Sequence, residues 1–171
     1  MFNCQKIYIF LKYFLFMKTL VVYYSRSGNT KKVAEEISNK IKCDIEEIID
    51  NKNRKGIIGW LRSGRDAHSK KLTTIKEIIK DPSKYDLVAI GTPVWAGLMA
   101  PAVRTYIYEN KGKFKNVGFF CTCGSSPGDI KTFEEMEDYI GITPLSKLSI
   151  TTKELKTNHE DKLKGFIKGI K

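Results

Sequence analysis

Residues 20–30 read LVVYYSRSGNT and decide the fold of the chain. The first five are apolar and rich in β-branched and aromatic types, which predicts a short strand covered on both faces. Residues 25–30 form a polar turn around one glycine. Apolar residues then return at helical spacing, namely Val33, Ala34, Ile37 and Ile41. This stretch therefore predicts a strand, a hydroxyl-rich turn and a helix in direct succession.

The same alternation of strand and helix continues to the end of the chain. Further strands are predicted at residues 45–49, 87–91, 117–121 and 145–150. Helices are predicted from apolar residues at helical spacing, the first with Pro101 at its start: Val103, Tyr106 and Ile107; Phe133, Met136 and Ile140; Leu163, Phe166, Ile167 and Ile170. Five strands alternating with helices predict an α/β domain with a parallel sheet. Ligands bind such sheets beyond the carboxyl ends of the strands, so the loops after strands one, three and four are the candidate site.

The chain is long enough for one domain and is strongly basic. It has 171 residues, with 30 Lys and Arg against 19 Asp and Glu, and a formal net charge of +11. Its 5 Pro and 13 Gly exclude a collagen-like chain, and its 4 Cys are too few for a disulfide scaffold. The scattered lysines are typical of a solvated surface or of a face that attracts acidic partners. No zinc-finger spacing or RNA-recognition pattern is present, so nucleic acid is not an expected partner.

Residues 1–16, MFNCQKIYIFLKYFLF, differ in composition from the rest of the chain. Their apolar run is broken by Lys12 and is shorter than the ~20 residues of a membrane span. It resembles the apolar region of a signal peptide, but no small-residue cleavage site follows. We expect an extension to a domain of residues 17–171: an upstream misread of a start at Met17, a membrane-touching tail or an extra structured element. Stable membrane insertion is not expected, and free thiols without an export signal favour the cytoplasm.

The turn after the first strand has the composition of a phosphate site. It consists of Ser25, Arg26, Ser27, Gly28, Asn29 and Thr30. The turn opens a helix, whose first N–H groups lack partners within the helix and whose dipole is positive at that end. Three hydroxyls and a glycine that admits an anion close to the backbone complete the cradle. An ordinary turn with capping hydroxyls is the alternative, and the Walker and GxGxxG patterns are both missing.

Two further loops are predicted at the same edge of the sheet. The first places a Trp among small residues: Thr92, Pro93, Val94, Trp95, Ala96 and Gly97. An exposed indole there would stack on a flat ring, and an indole that covers the sheet edge is the alternative. The second loop lets a planar ligand approach the backbone at Cys123, Gly124 and Ser125. No metal ligand or catalytic residue is predicted, because the C-x-C pair stands alone and no Ser-His-Asp or Cys-His arrangement is present.

From Met17 onward the sequence resembles the flavodoxins, which carry electrons on flavin mononucleotide (FMN). Three segments carry the resemblance: residues 24–30 for the phosphate, residues 91–97 beside the flavin and residues 123–128 at its far side. The resemblance implies a flavodoxin-like three-layer sandwich, with helices on both faces of a five-stranded parallel sheet in the order 2-1-3-4-5. It also implies that the three loops named above bind FMN. The chain departs from the family pattern in being basic and in lacking an aromatic residue at positions 122–128.

The resemblance implies a low-potential electron-transfer protein that works between redox partner proteins. Because the chain is basic, we expect partners with acidic docking surfaces, and we expect a monomer or weak dimer. The alternative is an FMN-dependent NAD(P)H:quinone oxidoreductase, since thin cover after the fourth strand leaves room for a hydride donor. A binding module without flavin is a third class. Residues 51–85, which include the apolar Ile57, Ile58, Trp60 and Leu61, are either a crossover helix or a flap or docking patch beside the flavin.

Overall fold

Five parallel strands and one short antiparallel strand form the sheet. A computed structural model describes residues 17–124 and 128–171, so the expected extension of residues 1–16 lies outside the described residues. The strands are β1 (Thr19–Tyr23), β2 (Asp44–Glu47), β3 (Leu87–Trp95), β4 (Leu98–Met99), β5 (Val117–Cys123) and β6 (Lys147–Thr151). The helices are α1 (Asn29–Ile41), α2 (Gly56–His68), α3 (Pro101–Glu109), α4 (Gly128–Ile140), α5 (Thr152–Lys156) and α6 (Glu160–Ile170), with a 3₁₀ turn at Pro82–Lys84.

The strand order places the candidate loops together. It is β2-β1-β3-β5-β6 in parallel, and β4 pairs antiparallel with β3. Without β4 this is the order 2-1-3-4-5, so the predicted topology is confirmed. Val21 in β1 lies in register with Ile45 in β2 and Ala89 in β3. The carboxyl ends of the parallel strands therefore meet at one edge, and the winding reverses beside β1, where ligands bind in such sheets.

Each face of the sheet has its own hydrophobic core, which gives three layers. Alternate residues of β1 point to opposite faces, so Val22 joins one core and Val21 the other. The first core contains the predicted apolar residues of α3 and α4, namely Val103, Tyr106, Ile107, Phe133, Met136 and Ile140. The second contains those of α1 and α6, namely Val33, Ala34, Ile37, Leu163, Phe166 and Ile170. The apolar periodicity therefore predicted these four helix faces correctly.

Two elements differ most from the sequence prediction. The pattern predicts a strand that ends at Gly91, but β3 continues to Trp95 and turns back into β4. The two turn residues, Ala96 and Gly97, have φ of 51° and 78°, as the tight turn of a β-hairpin requires. The short helix α5 was not predicted, because it depends on a capping box between Thr151 and Glu154 rather than on an apolar stripe.

The crossover helix α2 has a small and polar buried side. Its buried residues are Gly59, Ser63, Asp66 and Ala67. Its large apolar side chains face outward, and Ile57, Ile58, Trp60 and Leu61 are 80%, 74%, 58% and 60% exposed. A helix in residues 51–85 is therefore confirmed, but the apolar residues that suggested it do not pack on the sheet.

Two buried arginines hold α2 on the domain. Arg54 donates through Nε to Asp50 and through Nη1 to Asp66 at 3.1 Å. Arg104 donates to Glu135 at 2.7 Å and to the carbonyl oxygens of residues 67, 71 and 99. Breaking a buried ion pair leaves an uncompensated charge and costs about 3–5 kcal/mol. Ion pairs thus fix the position of α2 where apolar packing does not.

The start of β1 and the end of α6 lie close together, at the edge of the sheet opposite the candidate loops. Met17, Ile170 and Lys171 border one cavity of about 400 Å³ there. Across residues 17–124 and 128–171, none of the helices combines the length and the apolar character that crossing a bilayer demands.

Candidate functional site

The turn between β1 and α1 presents the start of a helix without a side-chain cap. Gly28 occupies the N-cap position with φ of 89°, and the first turn of α1 contains no acidic residue. Ser25 Oγ accepts a hydrogen bond from the Gly28 N–H at 3.1 Å, which closes the turn. The first N–H groups of a helix have no partner within it, and the dipole there is positive. This end of α1 therefore suits an anion.

Thr30 points into the protein instead of into the turn. It is buried, and its Oγ1 lies 2.8 Å from Oγ1 of Thr122 in β5. This contact joins the turn to the end of β5. The side chains of the turn that reach the surface are those of Ser25, Arg26, Ser27 and Asn29. Together with backbone N–H groups, these are the groups available to a phosphate, and their role in binding one stays a prediction.

The β3–β4 hairpin holds the candidate stacking residue. Trp95 is half-buried, so the predicted exposed indole is wrong in that respect. Its ring packs edge-on against Tyr24, with centroids 5.6 Å apart and planes at 89°. The guanidinium carbons of Arg26 and Arg54 lie 5.7 Å and 5.6 Å from the indole centroid. The hairpin thus folds the indole over the end of β1 and between these neighbours.

Hydrogen bonds within and around the hairpin make it rigid. Thr92 is fully buried; its hydroxyl donates to the Pro93 carbonyl and accepts from the Ala100 N–H, each at 3.0 Å. The Gly97 carbonyl accepts from Oγ1 of Thr132 in α4 at 3.1 Å. The Thr92 side chain is therefore committed to the fold, whereas Pro93, Val94 and Gly97 are partly exposed and Ala96 is exposed.

The third loop begins two residues later than predicted, at Gly124 instead of Thr122. Cys123 is the last residue of β5 and is buried, with its Sγ 3.7 Å from Oγ of Ser149. Burial raises the pKa of Cys123 and raises the pKa of Cys121 to about 12, so both are neutral thiols at neutral pH. Gly124 is exposed, and Ser125 lies outside the described residues together with residues 126 and 127. The interpretation of Cys123 as a loop residue was therefore wrong.

One glycine in each loop leaves space for a ligand against the backbone. A Cβ built at Gly28, Gly97 or Gly124 would meet no atom within 4 Å. Close approach of a cofactor to three backbone segments needs such positions. The described residues hold no group of three His, Cys, Asp or Glu that could bind a metal ion. The uncapped start of α1 suits an anion, and the open glycine positions suit a flat ring close to the backbone. The residues therefore fit a flavin nucleotide.

A basic cavity adjoins the loops on the side of β2. It measures about 430 Å³ and is lined by Arg26, Arg54, Lys55, Gly56, Ile57 and Trp60. The sequence left open whether Arg26 points to a phosphate or to solvent; in the structure its guanidinium lies over Trp95 and borders this cavity. Arg54 was not among the residues that the sequence predicted for the site. The only trace of its ion pairs is the spacing of four residues from Asp50, since Asp66 follows twelve residues later.

The flavodoxin family model matches residues 18–156, which is more than half of the chain. None of the curated proteins compared with the chain matches it. A flavoprotein from Lactobacillus acidophilus NCFM, solved in complex with FMN, is 25% identical with a TM-score of 0.69 over 82% of this chain and 97% of its own.

Other solved structures share this architecture. A protein from Bacteroides uniformis ATCC 8492 that carries a provisional flavoprotein assignment is 26% identical, with a TM-score of 0.73 over 89% of this chain and 98% of its own. A flavodoxin from the domain Archaea is 20% identical, with a TM-score of 0.54 over 90% and 94%, and shows likeness of fold alone. The family match over residues 18–156, on a parallel sheet of this strand order, shows that the chain belongs to the flavodoxin family.

Proposed function

We propose that this protein binds FMN and carries electrons at low potential between redox proteins of the cytoplasm. One observation carries the proposal: three loops with open backbone positions meet at the switch point of the sheet beside Trp95. Membership of the flavodoxin family and the FMN complex of the Lactobacillus relative support the choice of cofactor.

In this proposal each loop binds a different part of FMN. FMN supplies reversible electron uptake, and the protein supplies binding and the electrostatic environment. The N-terminus of α1, with Ser25, Ser27 and Asn29, holds the phosphate. Trp95 packs against the flat ring system. Backbone groups of residues 92–97 and 123–124 offer hydrogen bonds to the ring edges.

Charge defines the partners in this proposal. The net charge of +11 favours proteins with acidic docking surfaces, because complementary charge speeds encounter. The guanidinium group of Arg26 beside Trp95 stabilises negative charge in its neighbourhood. Both effects act at the edge of the sheet where the three loops meet.

The test is a visible absorbance spectrum of the purified full-length chain, followed by an anaerobic dithionite titration. We expect flavin bands at the start, or after FMN is added and the excess removed. A long-wavelength band that rises and then disappears during the titration would indicate one-electron steps. A folded protein that retains no FMN after this treatment would overturn the proposal.

A second candidate is an FMN-dependent NAD(P)H:quinone oxidoreductase. It is favoured by one feature: residues 122–128 contain no aromatic side chain, and Gly124 is exposed with open space beside it. A nicotinamide would find room against the ring on that side. NADPH consumption with a soluble benzoquinone as acceptor distinguishes the two candidates. Turnover would favour the reductase, whereas no consumption at high protein concentration would leave the carrier.

A further inference from the structure

Helix α2 presents its apolar side chains to solvent. With 100° between successive residues, Ile57 and Leu61 lie at the centre of the outward face, Ile58 lies beside them and Trp60 lies at its border. Arg65 and His68 share this face in the second half of the helix and are exposed. The inward strip is Gly59, Ser63, Asp66 and Ala67. A helix on a water-exposed surface has the reverse arrangement. A contiguous apolar patch of this kind marks an interaction surface.

The charges around the patch are positive. Arg62 and Arg65 are exposed on the flank next to Ile58, and Lys55 is exposed at the start of the helix. The acidic residue of α2, Asp66, is turned inward to Arg54, and its Oδ1 also lies 3.6 Å from Nη2 of Arg65. A second copy of the chain packed on this face would bring like charges together. The patch therefore fits an occupant that is both apolar and anionic.

The basic cavity continues the patch. Ile57 and Trp60 belong to both, and Arg26, Arg54 and Lys55 form the rest of the cavity wall together with Gly56. Arg54 is 3% exposed and its charge is paired with Asp50 and Asp66, so Arg26 and Lys55 are the cavity residues that can meet an anion from solvent. Cations next to outward apolar side chains match a phosphate headgroup next to an acyl chain.

We propose that α2 docks this protein on an anionic phospholipid surface. The four outward side chains enter the region between headgroups and acyl chains, and headgroup phosphates meet the cations of the patch and the cavity. A bilayer adapts to a convex helix, whereas a stable protein complex needs ~800 Å² of matched surface on each partner. The proposal does not depend on FMN.

Sedimentation of the full-length protein with vesicles tests this docking. Vesicles of phosphatidylglycerol and phosphatidylcholine in equal amounts should bind the protein at low salt, and vesicles of phosphatidylcholine alone should bind it much less. The double variant Ile58→Ser with Leu61→Ser should lower the partition coefficient about tenfold or more, because each exposed apolar side chain contributes to insertion. Arg62→Gln with Arg65→Gln should lower it on the mixed vesicles alone.

The matched control is Ile79→Ser, which removes an apolar side chain that is 91% exposed outside α2. It should bind vesicles as the unchanged protein does, and all variants should keep the same melting temperature.

The proposal is overturned if mixed vesicles do not bind the protein, or if binding is insensitive to both double variants. Self-association that the Ile58→Ser/Leu61→Ser variant abolishes would overturn it in favour of a second copy. Binding to polyglutamate without binding to vesicles would overturn it in favour of an acidic protein. If the protein retains no FMN but still binds the mixed vesicles, the proposed function is refuted and the docking proposal stands.

Discussion

Trp95 owes its position to three neighbours. Tyr24 meets the indole edge-on, and the guanidinium groups of Arg26 and Arg54 lie within 6 Å of its centroid. Each contact of these types contributes about 0.5–1.5 kcal/mol. Asp50 and Asp66 in turn hold Arg54. The indole is therefore placed before a ligand arrives, which lowers the entropic cost of binding.

We expect Trp95→Leu to weaken FMN binding by about tenfold to a hundredfold, because a lost stacking contact costs about 1–3 kcal/mol. The quenching of FMN fluorescence during titration of the apoprotein measures the dissociation constant. Trp60→Leu is the matched control, since Trp60 is exposed on α2 and should leave that constant unchanged. Equal effects of the two substitutions would contradict the stacking role of Trp95.

At the scale of elements, α2 contains two glycines with opposite surroundings. A Cβ at Gly59 would overlap the backbone of Arg54, whereas a Cβ at Gly64 would meet no atom within 4 Å. Gly59→Ala should therefore displace the Arg54 segment and destabilise the protein by about 1–3 kcal/mol. Gly64→Ala should stabilise it by about 0.5–1 kcal/mol, because alanine is the better helix former. Urea denaturation followed by circular dichroism gives the change in the free energy of unfolding for both variants. If both substitutions changed it in the same direction, the packing described for Gly59 would be contradicted.

The capping box of α5 predicts a dependence of stability on pH. A hydrogen bond from Lys162, followed by the Thr151 N–H, lowers the pKa of Glu154 from 4.5 to about 2. Because the folded pKa is the lower one, the stabilisation is present above pH 4.5 and is lost as the pH falls towards 2. Glu154→Gln should therefore melt at a lower temperature than the unchanged protein near neutral pH. This difference should shrink through the acidic range, and a constant difference would argue against the titration of Glu154.

The elements that the sequence predicted are those that bury a periodic stripe. α1 and α6 fall in this class, since Ile37 and Phe166 recur at core-facing positions. Three features were not predicted, because none of them depends on a buried apolar stripe. The end of β3 depends on the positive φ of Ala96 and Gly97, and α5 depends on its capping box. The packing of α2 depends on the ion pairs of Arg54. For α2 the periodicity pointed the wrong way, because its apolar side chains face solvent.

The candidate site shows the same division. Hydroxyl and glycine content identified the turn after β1, because the chemistry of an anion site lies in consecutive residues there. Composition could not show that Thr30 turns inward to Thr122, since that contact joins residues 92 positions apart. Nor could it place Cys123 within a strand, because the end of β5 is fixed by pairing with β6.

At the scale of the whole molecule, a net charge of +11 should steer small anions as well as proteins. If the protein carries FMN, reoxidation of its reduced form by ferricyanide, an anion, should slow steeply as salt is added. The rate should fall because salt screens the attraction between the protein and the anion, over about 10 Å at 0.1 M salt. A neutral benzoquinone is the matched acceptor, and its rate should stay nearly constant in the same stopped-flow experiment. Equal salt dependence for both acceptors would mean that the surface charge does not steer.

The meeting of Met17, Ile170 and Lys171 around one cavity makes the domain suitable for circular permutation. A short glycine-serine linker from Lys171 to Met17 joins residues 17–171 without residues 1–16, and new ends are opened at the exposed turn of Lys111 and Gly112, which precedes β5. Each of the three candidate loops then remains in an uninterrupted stretch of chain. A reporter or second redox module fused at the new ends would leave from the edge that faces away from those loops.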